Sequence, residues 1–404
     1  MIHDDAVVIW INGHRVAGFD DGRVTGTRNL EYAGEAHAAP QTSAFTAPGS
    51  VLKDGTNTIA VALHQDREAS SDAYFDLSSL TTSTAPPPAV AAGNTPGSAP
   101  AGQTPATSAA LPERVILNPT ATPATSQTFS WIAGDAAQET GEIEIGEAAG
   151  GATRTVPAQP AGRVNANPKQ HFSVTVDGLR AGTEYRYRVG APGSTSEWAR
   201  FTTATAGASD FQFLAFGDAQ IGLDTVWPDV IRRAEERAPQ AKLSLHVGDL
   251  INTATNEKEW NSWFAGLKNV AASRNILTTP GNHEHSGDTR LGTWKANFAH
   301  PANQPTGTTI GELGRLAEGE SDAAKQWAAY FEHWSKMAAD TVYATDYQGV
   351  RFVTLNSNRN TASLTPDNLP GCFGLDCPSV DVSASWLRFE AAWLDTVLQQ
   401  NPGK

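Results

Sequence analysis

Four residues of this 404-residue chain stand out for the chemistry that their types permit: Asp218, Asp249, Asn282 and His283. They lie in three short runs, LAFGDAQ (Leu214 to Gln220), LSLHVGDLIN (Leu243 to Asn252) and ILTTPGNHEHSG (Ile276 to Gly287). Two carboxylates, an amide and an imidazole brought to one rim suit a pair of divalent cations, since one aspartate can bridge two ions and an amide oxygen can complete a shell. Two cations about 3.5–4 Å apart can hold a hydroxide and grip a phosphate oxygen, the arrangement for in-line displacement at phosphorus.

The surrounding residues predict how such a rim is built. Each run opens with apolar, often β-branched residues and breaks at glycine, so each reads as a buried strand that delivers its last residues into a loop. Between the first two runs, VWPDVIRRAEERAP (Val226 to Pro239) has the spacing of an amphipathic helix, and Trp260, Trp263, Phe264 and Leu267 repeat it before the third. The order strand, helix, strand, helix, strand implies a parallel α/β sheet, whose ligands bind at the carboxyl ends of the strands.

The ordered set of GD, a second GD and GNHE resembles the calcineurin-like metallophosphoesterases, and the modules upstream narrow this to purple-acid-phosphatase-like members. The resemblance implies that Asp218 binds a first metal, that Asp249 bridges, that Asn282 binds the second, and that His283 faces the phosphate. The implied cofactor is two divalent or mixed-valence ions of iron, zinc or manganese. Two positions depart from the pattern: Gln220 stands where a GDxH form has a histidine ligand, and Asn252 stands where the purple enzymes have an iron-binding tyrosine. As in related GDxQ forms, Gln220 can ligate through its carbonyl oxygen. His285 is a candidate for a phosphate or metal contact, while His246, inside the second strand, reads equally as a buried, hydrogen-bonded side chain.

At this length the chain should divide into about three domains. Its formal charge of −14 argues against nucleic acid as a partner. No apolar run approaches the roughly 20 residues of a membrane span, and MIHDDAVVIW has no charged-then-apolar leader. The only cysteines, Cys372 and Cys377, bracket CFGLDC and read first as a local disulfide, then as free thiols, and last as a zinc site. A bridge would place the protein outside the cytoplasm.

The expected architecture is two β-sandwiches, a partial galactose-binding-like jelly roll and a fibronectin type III-like domain, followed by an α/β metallophosphoesterase sandwich. Residues 1–80 alternate in the β manner, with turns at Asn12-Gly13 and Asp54-Gly55, and resemble the galactose-binding-like jelly rolls of secreted hydrolases. His14, His37 and His64 read there as surface or packing residues, and Trp10 or His64 as a weak carbohydrate contact. Residues 81–112 are a linker rich in Pro, Ala and Thr. Residues 113–204, with Trp131, VDGLRAGTEYRYRVG and ARFTTAT, resemble the fibronectin-like domain that precedes the catalytic domain of plant-type purple acid phosphatases. There Tyr185 and Tyr187 should face in and Arg186 and Arg188 out.

Residues 210–404 form the last expected domain. Helices are expected over Lys325–Met337 and over Ser383–Gln400 with a serine cap. Thr341–Asn358 should be a hairpin followed by a buried strand. His300 and His333 read as structural. The family's further metal-binding histidines lie downstream of such a helix, so the reading is a secreted phosphoesterase cut at both ends, its leader lost. Residues Met1 to Lys404 alone should then bind metal weakly and be inactive. The expected activity is phosphoester hydrolysis, monoesters before diesters. The competing class is a non-catalytic surface protein that binds polysaccharide and carries a degenerate metal site.

Overall fold

A computed structural model describes residues 2–3, 6–24, 32–33, 41–53, 57–64, 75–76, 111–267, 270–373 and 377–400. His37, the turn at Asp54-Gly55 and nearly all of the expected linker lie outside the described residues. In the first segment β1 (Ile2–His3), β4 (Gln41–Thr42) and β6 (Phe75–Asp76) form one small sheet, while β2 (Ala6–Ile11) lies between β3 (His14–Phe19) and β5 (Ile59–His64) in another. The β2–β3 turn is at Asn12-Gly13, with φ of 51° and 79°, the left-handed pair that a two-residue hairpin of this kind requires. Asn12 fixes that turn by donating to the Val51 carbonyl (2.8 Å) and to Asn57 Oδ1 (2.7 Å).

The next segment runs β7 (Glu113–Asn118), β8 (Ser126–Ile132), β9 (Glu142–Glu147), β10 (Arg154–Pro157), β11 (Gln159–Gly162), β12 (His171–Asp177), β13 (Glu184–Ala191), β14 (Ser194–Thr195) and β15 (Ala199–Thr202). Strands β11, β12, β8 and β7 lie side by side, and β10, β9, β13 and β14 form a second sheet that β15 joins at β13. The two sheets share one core, to which one gives Phe129, Trp131 and Phe172 and the other Ile143, Ile145, Tyr187 and Val189. Alternation puts Tyr185 and Tyr187 inside, and the Tyr185 hydroxyl accepts the Arg180 amide at 2.8 Å, a tyrosine corner. Arg186 and Arg188 turn outward, their guanidinium groups 5.0 and 4.8 Å from the Trp198 ring centroid.

In the last segment β16 (Gln212–Phe216), α1 (Trp227–Arg237), β17 (Ala241–Val247), α2 (Glu257–Leu267) and β18 (Asn275–Thr279) alternate as the spacing predicts, and the three strands are parallel. Then come α3 (Gly292–Asn297), α4 (Asp322–Ala338), β19 (Tyr343–Tyr347), β20 (Val350–Thr354), α5 (Thr361–Leu364) and α6 (Val382–Gln399). Trp227, Trp260, Trp263, Trp294, Trp334 and Trp386 dominate the core. On the other face, Phe213, Ala215 and Leu245 pack with Val7 and Ile9 of the first segment.

One seam was not visible in the sequence. β18 continues past β17 into β7 through the pair Asn275 and Leu117, so the sheet of the second segment and the parallel sheet are one run of seven strands. Buried bonds close the seam: Gln127 Nε2 to Asn275 Oδ1 (2.8 Å) and the Tyr187 hydroxyl to the Ala272 carbonyl (2.8 Å).

Two expectations need correction. The cap of α6 is Asp381, whose carboxylate accepts from the Ala384 amide at 3.0 Å, while Ser383 falls in the first turn with its hydroxyl on the Arg359 carbonyl. The buried strand expected after the hairpin is the hairpin's own second arm, β20. Its strand partner is β19, with a single parallel bridge from Val350 to Asn57 of the first segment, and it is half-buried. His300 stacks on Tyr343 at 4.3 Å and bonds Thr278, and His333 meets the Ser363 carbonyl, so both are held inside the packing. Cys372 and Cys377 are joined in a disulfide.

Candidate metal centre

The loops that leave β16, β17 and β18 meet because the chain turns sharply at each strand end. Asp218 (φ 55°) and Asp249 (φ 51°) both adopt left-handed backbone, which aspartate tolerates better than most residues because its short side chain bonds locally. Gly248 and Gly281 let two of the loops touch. A Cβ on Gly248 would lie 2.8 Å from the Gly281 Cα, and one on Gly281 would lie 2.2 Å from Asp249 Oδ1. The Asp218 amide donates to the Gly248 carbonyl at 3.1 Å, and the His283 amide donates to Asp249 Oδ1 at 2.9 Å. Gln220 Nε2 donates to Asp218 Oδ1 at 2.7 Å. Asp218, Gln220, Asp249, Asn282 and His283 are therefore brought together along one rim.

Glu284 was not singled out by the sequence reading, and it organises this rim. It is 1 % exposed, and its carboxylate accepts the amides of Gly281 (2.6 Å), Leu250 (2.7 Å), Asp249 (3.0 Å) and Ile251 (3.3 Å). One side chain thereby ties two loops. Burial pushes its carboxyl up to about 7, the neighbouring Asp249 adds to this, and the amide bonds oppose it. The available signal was the GNHE run itself, in which the acid follows the glycine by three residues.

The imidazole of His283 is oriented from behind. Its Nδ1 lies 2.7 Å from the Asn252 carbonyl, which can only accept, so Nδ1 carries the hydrogen and, in the neutral ring, Nε2 is left as the acceptor. The amides of Asn252 and Thr253 are held in turn by Glu259 Oε2 at 3.0 and 2.8 Å.

The other two histidines have turned elsewhere. His246 is buried among Phe216, Trp227 and Trp263, with Nε2 3.0 Å from the Ser244 hydroxyl, and burial depresses it to about 3. His285 is 4 % exposed, its Nδ1 is 3.0 Å from the Ser363 hydroxyl, and burial depresses it to about 4. His285 is thus engaged by Ser363 of α5 and is closed to solvent.

The donor set fits metal ions. Gln220 Oε1 is buried without a hydrogen-bond partner beside Asp218, an oxygen that a cation would satisfy. Burial raises the Asp249 carboxyl above its ordinary range although two backbone amides oppose this, and a cation would relieve that desolvation. Among the described residues no three His, Cys, Asp or Glu converge, and a cation beside the two aspartates would draw on amide side chains such as Gln220 and Asn282.

Residues 211–357 match the family described as calcineurin-like phosphoesterase, and residues 112–203 match the purple acid phosphatase N-terminal domain. The chain carries a calcineurin-like phosphoesterase domain. Every residue of the rim falls inside the phosphoesterase match. Similar solved structures include the purple acid phosphatase PPD1 from yellow lupin (Lupinus luteus) seeds, 18% identical over 60% of this chain and 44% of that one, with a TM-score of 0.41. PhoD is 16% identical over 63% of this chain and 53% of that one, with a TM-score of 0.38. The sensor domain of the anti-sigma factor RsgI4 in Pseudobacteroides cellulosolvens is 18% identical, with a TM-score of 0.18 over 25% of this chain and 99% of that one. The chain thus spans about half the length of the first two structures. No curated protein matches it.

Proposed function

We propose that the chain belongs to a metal-dependent phosphoester hydrolase, acting on monoesters in preference to diesters. The observation that carries this reading is the meeting of Asp218, Gln220, Asp249 and Asn282 at adjoining strand ends, with an orphaned amide oxygen among them. Asp218 and Gln220 would hold a first ion, Asn282 a second, and Asp249 would bridge. Bound there, the ions would supply a hydroxide and polarise the phosphate. His283 presents Nε2 to the phosphate, to steady developing charge or to protonate the leaving oxygen. Its proton on Nδ1 is fixed by the Asn252 carbonyl.

The same reading assigns residues 1–80 to a galactose-binding-like module, 113–204 to a fibronectin type III-like one and 210–404 to the phosphoesterase, with 81–112 as linker. The shared core and the tyrosine corner support the second assignment. The Cys372–Cys377 disulfide supports work outside the cytoplasm, and polysaccharide is the proposed partner of the first module. Among the described residues no helix is long and apolar enough to cross a membrane.

The deciding experiment measures metal content and turnover of an aryl phosphate and a bis-aryl phosphate by the complete protein and its Asp249→Asn variant, with manganese, zinc or iron. The amide should lower bound metal and abolish turnover while leaving the fold, because it cannot hold two cations together. Equal turnover by the variant would remove Asp249 from the bridge. Retention on an insoluble glycan without any turnover would favour the binding protein.

A further inference from the structure

The domain of residues 112–203 touches the metal loops' supports through a cluster of polar side chains. In β7 the register against β8 breaks between Glu113 and Ile116, and Arg114 there has φ of 51°. The bulge sends its side chain, 3 % exposed, across the boundary. Arg114 Nη2 reaches Glu257 Oε1 (2.5 Å) and Asn261 Oδ1 (2.8 Å), and Nη1 reaches Asn297 Oδ1 (3.3 Å). A second crossing point is Asn165, also left-handed at φ 53°. Its Nδ2 donates to the Ala254 carbonyl (3.2 Å) and Glu257 Oε2 (3.3 Å), and its Oδ1 accepts from the Thr293 hydroxyl (2.9 Å). Asn167 adds a bond to Glu257 Oε1 at 2.8 Å.

The acceptors are not scattered. Glu257 opens α2, directly after the loop of Asp249 and Asn252; Thr293 and Asn297 lie in α3, after the loop of Asn282 and His283. The two loops are joined to each other where the Ala254 amide donates to the Ser286 carbonyl at 3.2 Å. Two residues before Ala254 is Asn252, whose carbonyl orients the His283 ring. Left-handed backbone at Arg114 costs free energy and persists where the surroundings over-determine it. A module that was merely tethered would have no use for it.

We propose that Arg114 and Asn165 are positioning residues for the His283 imidazole, acting from the upstream domain through residues 252–257. The proposal rests on the reading of His283 as the group that faces phosphate. The bonds of Tyr187 to Ala272 and of Gln127 to Asn275 also join the domains, but they reach the start of β18, at the end of the strand remote from the rim. They provide the control.

The test uses the full chain with Asn165→Gly, which keeps the left-handed turn and deletes the side chain, and with Arg114→Lys, which keeps charge but loses the fork. In Asn165→Gly, amide exchange at residues 253–257 should quicken by about tenfold or more while β17 stays protected. The His283 ring nitrogens, read by NMR, should lose their single tautomer. Tyr187→Phe should leave both readouts as in the parent. Unchanged loop exchange and an unchanged tautomer in Asn165→Gly and Arg114→Lys overturn the proposal, as does equal acceleration by Tyr187→Phe. In an active preparation, kcat should fall at constant KM. Loosened loops with no turnover under any metal would uphold the brace and defeat the hydrolase reading; turnover with undisturbed loops would do the reverse.

Discussion

The loop after β17 and the loop after β16 each present an aspartate in left-handed backbone, yet they are held differently. Around Asp249 the Glu284 carboxylate takes four amides, Glu259 takes two, and the Asn252 carbonyl pins an imidazole. Around Asp218 the structure gives a bond to the Gly248 carbonyl and one from Gln220. The chain then passes Ile221, 75 % exposed, and Val226, 58 % exposed. The loop of Asp249 is anchored by the carboxylates of Glu284 and Glu259, while that of Asp218 leads into an exposed apolar stretch. Fixed dipoles act without reorganisation when charge develops, so the role proposed for His283 suits a ring held by the anchored loop of Asn252.

The sharpest way to break this comparison is to remove the oriented ring. His283→Ala should slow turnover by roughly 10²–10⁴-fold with metal content unchanged, as measured by steady-state kinetics beside elemental analysis. Loss of metal in that variant would make His283 a ligand, and the two loops would no longer differ in kind.

Glu284→Gln comes next. The amide keeps the shape but offers a donor to backbone N–H groups that also donate, so stability should fall by about 2–4 kcal/mol, read from denaturant midpoints. Protection of residues 249–252 should fall as well, while residues 218–224 keep theirs. A uniform loosening of both loops would erase the asymmetry.

An effect confined to acid pH separates the anchored loop from the strand beneath it. His246 is depressed to about 3 by burial, from an ordinary value of 6.5. Its neutral ring therefore supports the fold above about pH 6.5, and that support is lost as the pH falls toward 3, at no more than about 1.4 kcal/mol per pH unit. His246→Phe should flatten the stability curve between pH 6.5 and 4 and leave the pH dependence of turnover alone. Parallel curves for parent and variant would mean that His246 is not the buried neutral base.

What could be read in the sequence was local. Apolar runs that break at glycine, the helical spacing between them and the GD, GD and GNHE motifs located the parallel strands and their loops, because these signals are carried within each stretch. The work of Glu284 could not be read, since its partners are backbone amides some thirty residues upstream, and a backbone amide has no letter of its own. The continuation of β18 into β7 was hidden for the same reason: edge pairing across distant segments leaves no periodic mark. The cap of α6 shows a nearer limit. Asp381 and Ser383 are both good caps two residues apart, and the choice depends on Ser383 finding the Arg359 carbonyl.

The left-handed backbone at Asp218 and Asp249 also governs which substitutions this rim can absorb. At such φ values glycine, asparagine and aspartate are the residues that fit with least strain, and the two that can replace an aspartate carry no charge. Exchange for asparagine at either position, which keeps an oxygen acceptor for the His283 amide or for Gln220, would therefore remove the proposed chemistry while the turn and the strands stay as they are. In descendants of this chain, activity and architecture can part company in one mutational step, and a preserved fold with asparagine or glycine at both positions would mark a lineage that kept the scaffold for another use.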